Sequence, residues 1–206
     1  MGTDSIYKLS FTAASLRLNE MVKVAKAAHD SGITNLNEVR DSGVVFTSGK
    51  ARTTEREFRE IKKRLELLTP DQLEVLIHGD LISQKQIAFL ALCKHYDFIR
   101  DFVIEVIRDK MLLFDYKINE SDLNSFIKNK MYQHPELEEF SDSTMKKAKQ
   151  VMFRILEQAG IINNTKEKII QPQLLQHDVI KVIATDDRSL LRVFMISDRD
   201  IKDIKY

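Results

Sequence analysis

Residues 47–68, TSGKARTTEREFREIKKRLELL, open as a polar loop with Lys50 and Arg52 and continue as a helix with two opposed faces. At about 100° per residue, Phe58, Ile61, Leu65 and Leu68 fall within one arc. Arg56, Arg59 and Lys63 fall within the opposite arc, and Arg52 extends that line where the helix reaches back to it. One face packs, and the other offers a row of cations fed by a basic loop at the helix N-terminus. Guanidinium groups grip phosphate bidentately, and a helix N-terminus presents free N–H groups, so a polyanion suits this surface. The plainer reading is a solvated helix face, and Glu55, Glu57, Glu60 and Glu66 dilute the row.

Helix signals recur on both sides of this stretch. Thr12 is placed to cap a helix over 13–30 that Gly32 ends, and a shorter helix over 35–41 is closed by Gly43. Thr69-Pro70-Asp71-Gln72 supplies a capping threonine, a proline at the first helical position and a capping-box glutamine. That helix ends near Gly79, and Ser83 with Gln86 opens an apolar helix toward Tyr96. Residues 97–114 follow as a second core helix. Past Lys117 come helices over 121–133 and 143–159, with the acidic cluster Glu136, Glu138, Glu139 and Asp142 between them. Ile161-Ile162 and Ile169-Ile170 flank a polar six-residue turn, which reads as a short β-hairpin ended by Pro172. A helix over 174–184 follows, and 190–196 fits a strand or a helix equally well. Three helices and a hairpin match a winged helix-turn-helix by pattern. The expected fold is mainly α: a compact helical protein of two lobes, residues 1–116 and 117–206, the second winged-helix-like with one short β-hairpin.

Composition bounds the function. The chain has 206 residues, 43% hydrophobic and 31% charged, as in a soluble globular protein. A net charge of +1 means that any nucleic-acid surface is a local patch and not a global field. A single cysteine, Cys93, allows no intramolecular disulfide and fits a reducing compartment; its apolar surroundings make it a core residue. The N-terminal MGTDSIYKLS lacks the apolar core of a signal peptide, and Ile6 breaks the myristoylation pattern. The most hydrophobic region, 86–114, is interrupted by Lys94, Asp97, Arg100, Asp101, Glu105, Arg108, Asp109 and Lys110, so core helices are expected there and no membrane span.

Signals for catalysis are weak. The loop from Gly43 to Lys50 has five residues between its glycines and Ala51 after the lysine, which departs from the phosphate-binding loop at both points. His29, His78, His95, His134 and His177 show no repeating metal-ligand spacing. A nucleophile elbow is missing from the sequence. No enzyme activity, cofactor, metal or small-molecule substrate is expected.

A second basic element is the helix over 143–159. Met145, Ala148, Val151, Met152, Ile155, Leu156 and Ala159 form its packed side. Lys146, Lys147, Gln150 and Arg154 face outward with Lys149 on the flank, and no acid occurs from Ser143 to Arg154. In a winged helix this element leads into the wing, whose tip carries Lys166 and Lys168. Gln150 would reach a base edge if its helix entered a groove. A solvated face is again the plainer reading, weakened because the charge is of one sign.

YKLSFTAASLRLNEMVKVA, KARTTEREFREIKKRLELL, IAFLALCKHYDFIRDFVIEVIRDK and FSDSTMKKAKQVMFRILEQAGII resemble, as ordered blocks from Tyr7 to Pro172, the BrxA family of BREX bacteriophage-exclusion systems. The resemblance implies a nearly all-helical cytoplasmic protein that binds double-stranded DNA. It would work beside larger BREX components, which include an adenine-specific DNA methyltransferase, a phosphatase-like protein and a large ATPase. The family's basic surface falls on Lys50, Arg52, Arg56, Arg59 and Lys63. The expected function is therefore non-catalytic DNA binding in phage defence, through phosphate contacts from two basic helix faces. The rival is a protein–protein assembly factor of the same complex, with incidental DNA binding.

Overall fold

A computed structural model describes residues 6–13, 15–41 and 51–205. The helices are α1 Leu18–Asp30, α2 Leu36–Asp41, α3 Ala51–Leu65, α4 Pro70–His78, α5 Leu81–His95, α6 Asp97–Phe102, α7 Asp109–Leu112, α8 Glu120–Met131, α9 Asp142–Ala159, α10 His177–Asp187 and α11 Asp198–Asp203. A π-helical stretch, Val103–Arg108, joins α6 to α7 without a break.

α5 is the centre of the molecule. Ile87 through Cys93 are all buried, so this helix is apolar on every side and must be surrounded. α1, α3, α4, α9 and α10 pack on it. Its cap is Asp80, which accepts from the Ser83 N–H at 2.7 Å. The expected Ser83–Gln86 box therefore does not form: the true cap lies three residues earlier, and Gln86 instead donates to the Leu174 carbonyl at 3.0 Å. The Thr69–Gln72 capping box forms as read, and the helix that it opens ends at Gly79.

The segment 7–17 departs from its expectation. Thr12 caps no helix here; Ser10–Ala13 is a separate 3-10 turn, and α1 begins at Leu18 after Arg17 at φ 53°. The reason is burial, since Tyr7, Leu9, Phe11 and Leu16 all enter the core. Tyr7 stacks on His134 with ring centroids 3.6 Å apart, and its hydroxyl donates to Asp101 at 2.6 Å.

The charges that interrupt the apolar region find partners. Arg100 pairs with Asp97 at 2.5 Å, and Arg108 pairs with Asp198 at 2.9 Å while donating to the Ile196 carbonyl. Lys130 bridges Asp101 and Glu105. Lys94 pairs with Asp186 at 2.6 Å and donates to Gln72, which itself donates to the Val182 carbonyl. That polar knot fastens α10 to α4 and α5. Among the described residues no helix is long and apolar enough to cross a membrane.

The expected β-hairpin is corrected, and with it the winged-helix assignment: no strand forms among the described residues. Ile162 and Ile170 make one isolated antiparallel bridge, and Lys117 makes another with Ile169. Between the two runs the backbone makes the bonds Asn163 N–H to the Ile169 carbonyl and Gln171 N–H to the Ile161 carbonyl, both at 2.9 Å, and asparagine side chains take over at the turn. Asn163 Oδ1 accepts from the Ile169 N–H at 2.9 Å, and Asn164 Oδ1 accepts from the Lys166 and Glu167 N–H groups. Asparagine side chains compete with the backbone in this way wherever a turn lets them. The ambiguous segment near Leu190 is a 3-10 helix, Arg188–Phe194, that buries Leu191, Val193 and Phe194.

Candidate nucleic-acid interface

α3 places its two faces as the sequence indicates. Phe58, Ile61 and Leu65 are at most 3% exposed, whereas Arg56, Arg59 and Lys63 point outward. The outward row is not free of counter-charge. Arg59 lies 3.9 Å from Glu55, and Lys63 lies 3.5 Å from Glu60. Lys50 and the Arg52 side chain lie outside the described residues, as does the glycine-bounded loop before them.

Arg64 separates itself from this row. It is fully buried and donates to the carbonyls of Ser15 at 2.7 Å and Leu16 at 3.3 Å. Burial pushes its guanidinium below the usual arginine range, and the nearby Tyr96 and Glu60 push it back up. Glu60 is also buried and accepts from the Tyr96 hydroxyl. The helical wheel held the signal for Arg64, which lies about 40° from Leu68 at the edge of the apolar arc; Glu60 lies on the side of Arg56, and its burial comes with the Tyr96 contact.

α9 is more uniform. Ser141 caps it by accepting from the Thr144 N–H at 3.3 Å, and Gly160 at φ 78° ends it. Ala148, Val151, Met152, Phe153, Ile155, Leu156 and Ala159 are buried. Lys146, Lys147, Gln150 and Arg154 are exposed on the other side, and none has a hydrogen-bond or ion-pair partner among the described residues. Lys149, on the flank, donates to Asn124 of α8 at 2.7 Å. Lys166 is exposed in the turn beyond α9, whereas Lys168 sits over the Phe153 ring at 4.7 Å.

The two basic helices share supports. Both pack against α5 and Ser10–Ala13. Leu16, whose carbonyl Arg64 holds, also donates its N–H to Gln158 of α9 at 3.0 Å. Rigid placement of both faces follows from these buried contacts.

Sequence reasoning missed one grouping, His29 with Glu74 and His78, because its members come from two helices. Cys93 is fully buried, and that burial pushes its thiol up, away from nucleophile chemistry.

The family model of BrxA matches residues 5–187. A BREX protein BrxA of Bacillus cereus (strain H3081.97) is 29% identical over 188 residues, covering 89% of this chain and 92% of that relative. One from Escherichia coli O9:H4 (strain HS) is 25% identical over 127 residues, covering 62% of this chain and 60% of that protein. A crystal structure of a protein from Magnetospirillum magneticum superposes with a TM-score of 0.78 at 21% identity, over 93% of this chain and 98% of that one. At that identity the likeness establishes the fold alone. With the family match running from the segment before Tyr7 to the end of α10, this chain belongs to the BrxA family.

Proposed function

We propose that this chain is a non-catalytic DNA-binding component of a BREX phage-defence system. The observation that carries the proposal is the exposed face of α9. Lys146, Lys147 and Arg154 form a patch of one sign on a helix whose other side is locked into the core. Side chains without internal partners lose little by turning to phosphate. On α3, Arg59 and Lys63 must first leave Glu55 and Glu60, so the row that they form with Arg56 is the weaker half of the surface.

Phosphate contacts position a protein without reading sequence. Affinity is therefore modest and largely independent of sequence, with Gln150 an outward amide on the patch that suits a base edge. α9 belongs to the C-terminal lobe of the division at residues 116 and 117. The partners are double-stranded DNA and the other BREX components, in the cytoplasm.

Purified chain, mixed with duplexes of unrelated sequence and no other BREX protein, tests the reading. Binding to all of them, weakening linearly in log salt, is the expected result. Failure to bind at low salt would favour the assembly-factor reading, in which the basic faces meet an acidic protein.

A further inference from the structure

We propose that His29, Glu74 and His78 form a binding site for a divalent first-row transition ion, best suited to Zn2+. His29 lies in the last turn of α1, and Glu74 and His78 lie one turn apart on α4, which packs against α1. The spacing of four puts Glu74 and His78 on one helix face. His29 Nε2 is 3.4 Å from Glu74 Oε1, and His78 Nε2 is 3.6 Å from Glu74 Oε2. The two imidazole rings sit 5.6 Å apart at 82°. Around a tetrahedral zinc with bonds of 2.0–2.1 Å, neighbouring donor atoms lie about 3.4 Å apart. One donor atom from each of the three side chains already lies within 4.8 Å of the other two, so rotamer adjustment around a single Glu74 oxygen brings the set to the spacing that the ion imposes.

A second observation points the same way. His29 Nδ1 lies 3.3 Å from the Asp30 carboxylate, on the opposite side of the ring from the Nε2 that faces Glu74. A carboxylate behind a ligating histidine fixes the tautomer and raises the basicity of the ligand. The cluster also borders a cavity of about 480 Å3, with His29 and Glu74 on its rim and Ala25, Ile33, Leu65 and Leu73 among its apolar walls. Two imidazoles and one carboxylate suit zinc, nickel or cobalt and do not suit magnesium, which prefers oxygen donors and retained waters. Three protein ligands leave one tetrahedral position for water or for a donor from a partner. Bound there, the ion clips the end of α1 to α4.

The test is zinc titration of the untagged full chain against a chromogenic chelator, with melting curves in zinc and in magnesium. One ion per chain is expected, with a melting temperature raised by zinc alone. Glu74→Gln and the double change His29→Ala with His78→Ala should abolish stoichiometric binding, and Asp30→Asn should weaken it about 10-fold. His177→Ala, at an exposed histidine elsewhere, should bind like the unaltered chain. These positions are at the surface, so melting curves without metal check that each variant folds. Absence of stoichiometric binding by the folded unaltered chain, or its persistence in the double variant, would overturn the site.

Discussion

Arg64 donates to the carbonyl of Ser15 at 2.7 Å from a side chain with no solvent exposure, on the same helix whose Arg56 is exposed to solvent. The next carbonyl, that of Leu16, also accepts from Arg64, and the Leu16 N–H reaches Gln158 of α9. Removing the guanidinium leaves two carbonyls without that donor and takes away the buried positive charge near Glu60, whose remaining cation among the described residues is the solvent-exposed Lys63. Arg64→Ala should cost about 3 kcal/mol, whereas Arg56→Ala should stay within about 0.5 kcal/mol. Urea denaturation of the two variants measures the contrast, and equal midpoints would contradict it.

Phe58 checks the packed face of the same helix. It is 1% exposed, and the Arg40 guanidinium lies 5.9 Å from its ring centroid. Phe58→Ala should destabilise by about 3–5 kcal/mol, read as a shift in denaturation midpoint at unchanged slope.

His95 gives a pH dependence. Burial lowers its pKa, with Lys63, Lys8 and Arg64 adding to the effect and Glu60 opposing it. The folded chain therefore favours neutral imidazole, while the unfolded chain takes up its proton near the ordinary value of about 6.5. This contribution to stability is complete above about pH 6.5 and is lost as pH falls from there through the folded-state value. The melting temperature should drop across that window, and His95→Asn should flatten the drop. An unchanged profile in the variant would place the dependence elsewhere.

The apolar region around α5 and α6 predicts behaviour in extraction. Asp97, Arg100, Asp101 and Arg108 interrupt it and are paired within the protein. The chain should be recovered without detergent after cell lysis. Recovery only in membranes that resist high salt and carbonate would contradict this, because insertion would have to carry those charges into lipid.

The helices were legible where local chemistry decides. Thr69-Pro70-Asp71-Gln72 marks its helix start unaided, and the apolar arc of α3 follows from period alone. Where tertiary contact decides, local signals misled. Thr12 looks like a cap, but Phe11 and Leu16 pull the segment into the core and delay α1 to Leu18. The pair of isoleucine runs looks like two strands, but Asn163 and Asn164 close the turn with their own side chains. The outward residues of both basic helices were readable from spacing. Their differing counter-charge was readable too, from the glutamates among the first row and the acid-free run 143–154, but which cation meets which glutamate was not, because rotamers decide whether Lys63 meets Glu60. The approach of His29 to Glu74 depends on α1 packing against α4, which no single stretch of sequence encodes.

The most direct measurement is the salt dependence of DNA affinity for a triple variant, Lys146→Ala, Lys147→Ala and Arg154→Ala. For every phosphate that the variant no longer neutralises, the slope of log affinity against log salt should flatten by about 0.9. Affinity should fall by a similar factor for unrelated duplexes, and the melting temperature should hardly move because all three side chains are exposed. The parallel triple Arg56→Ala, Arg59→Ala and Lys63→Ala should flatten the slope less, since Arg59 and Lys63 begin in ion pairs. An α9 variant that folds normally and binds DNA with the affinity and salt slope of the unaltered chain would contradict the assignment of that face.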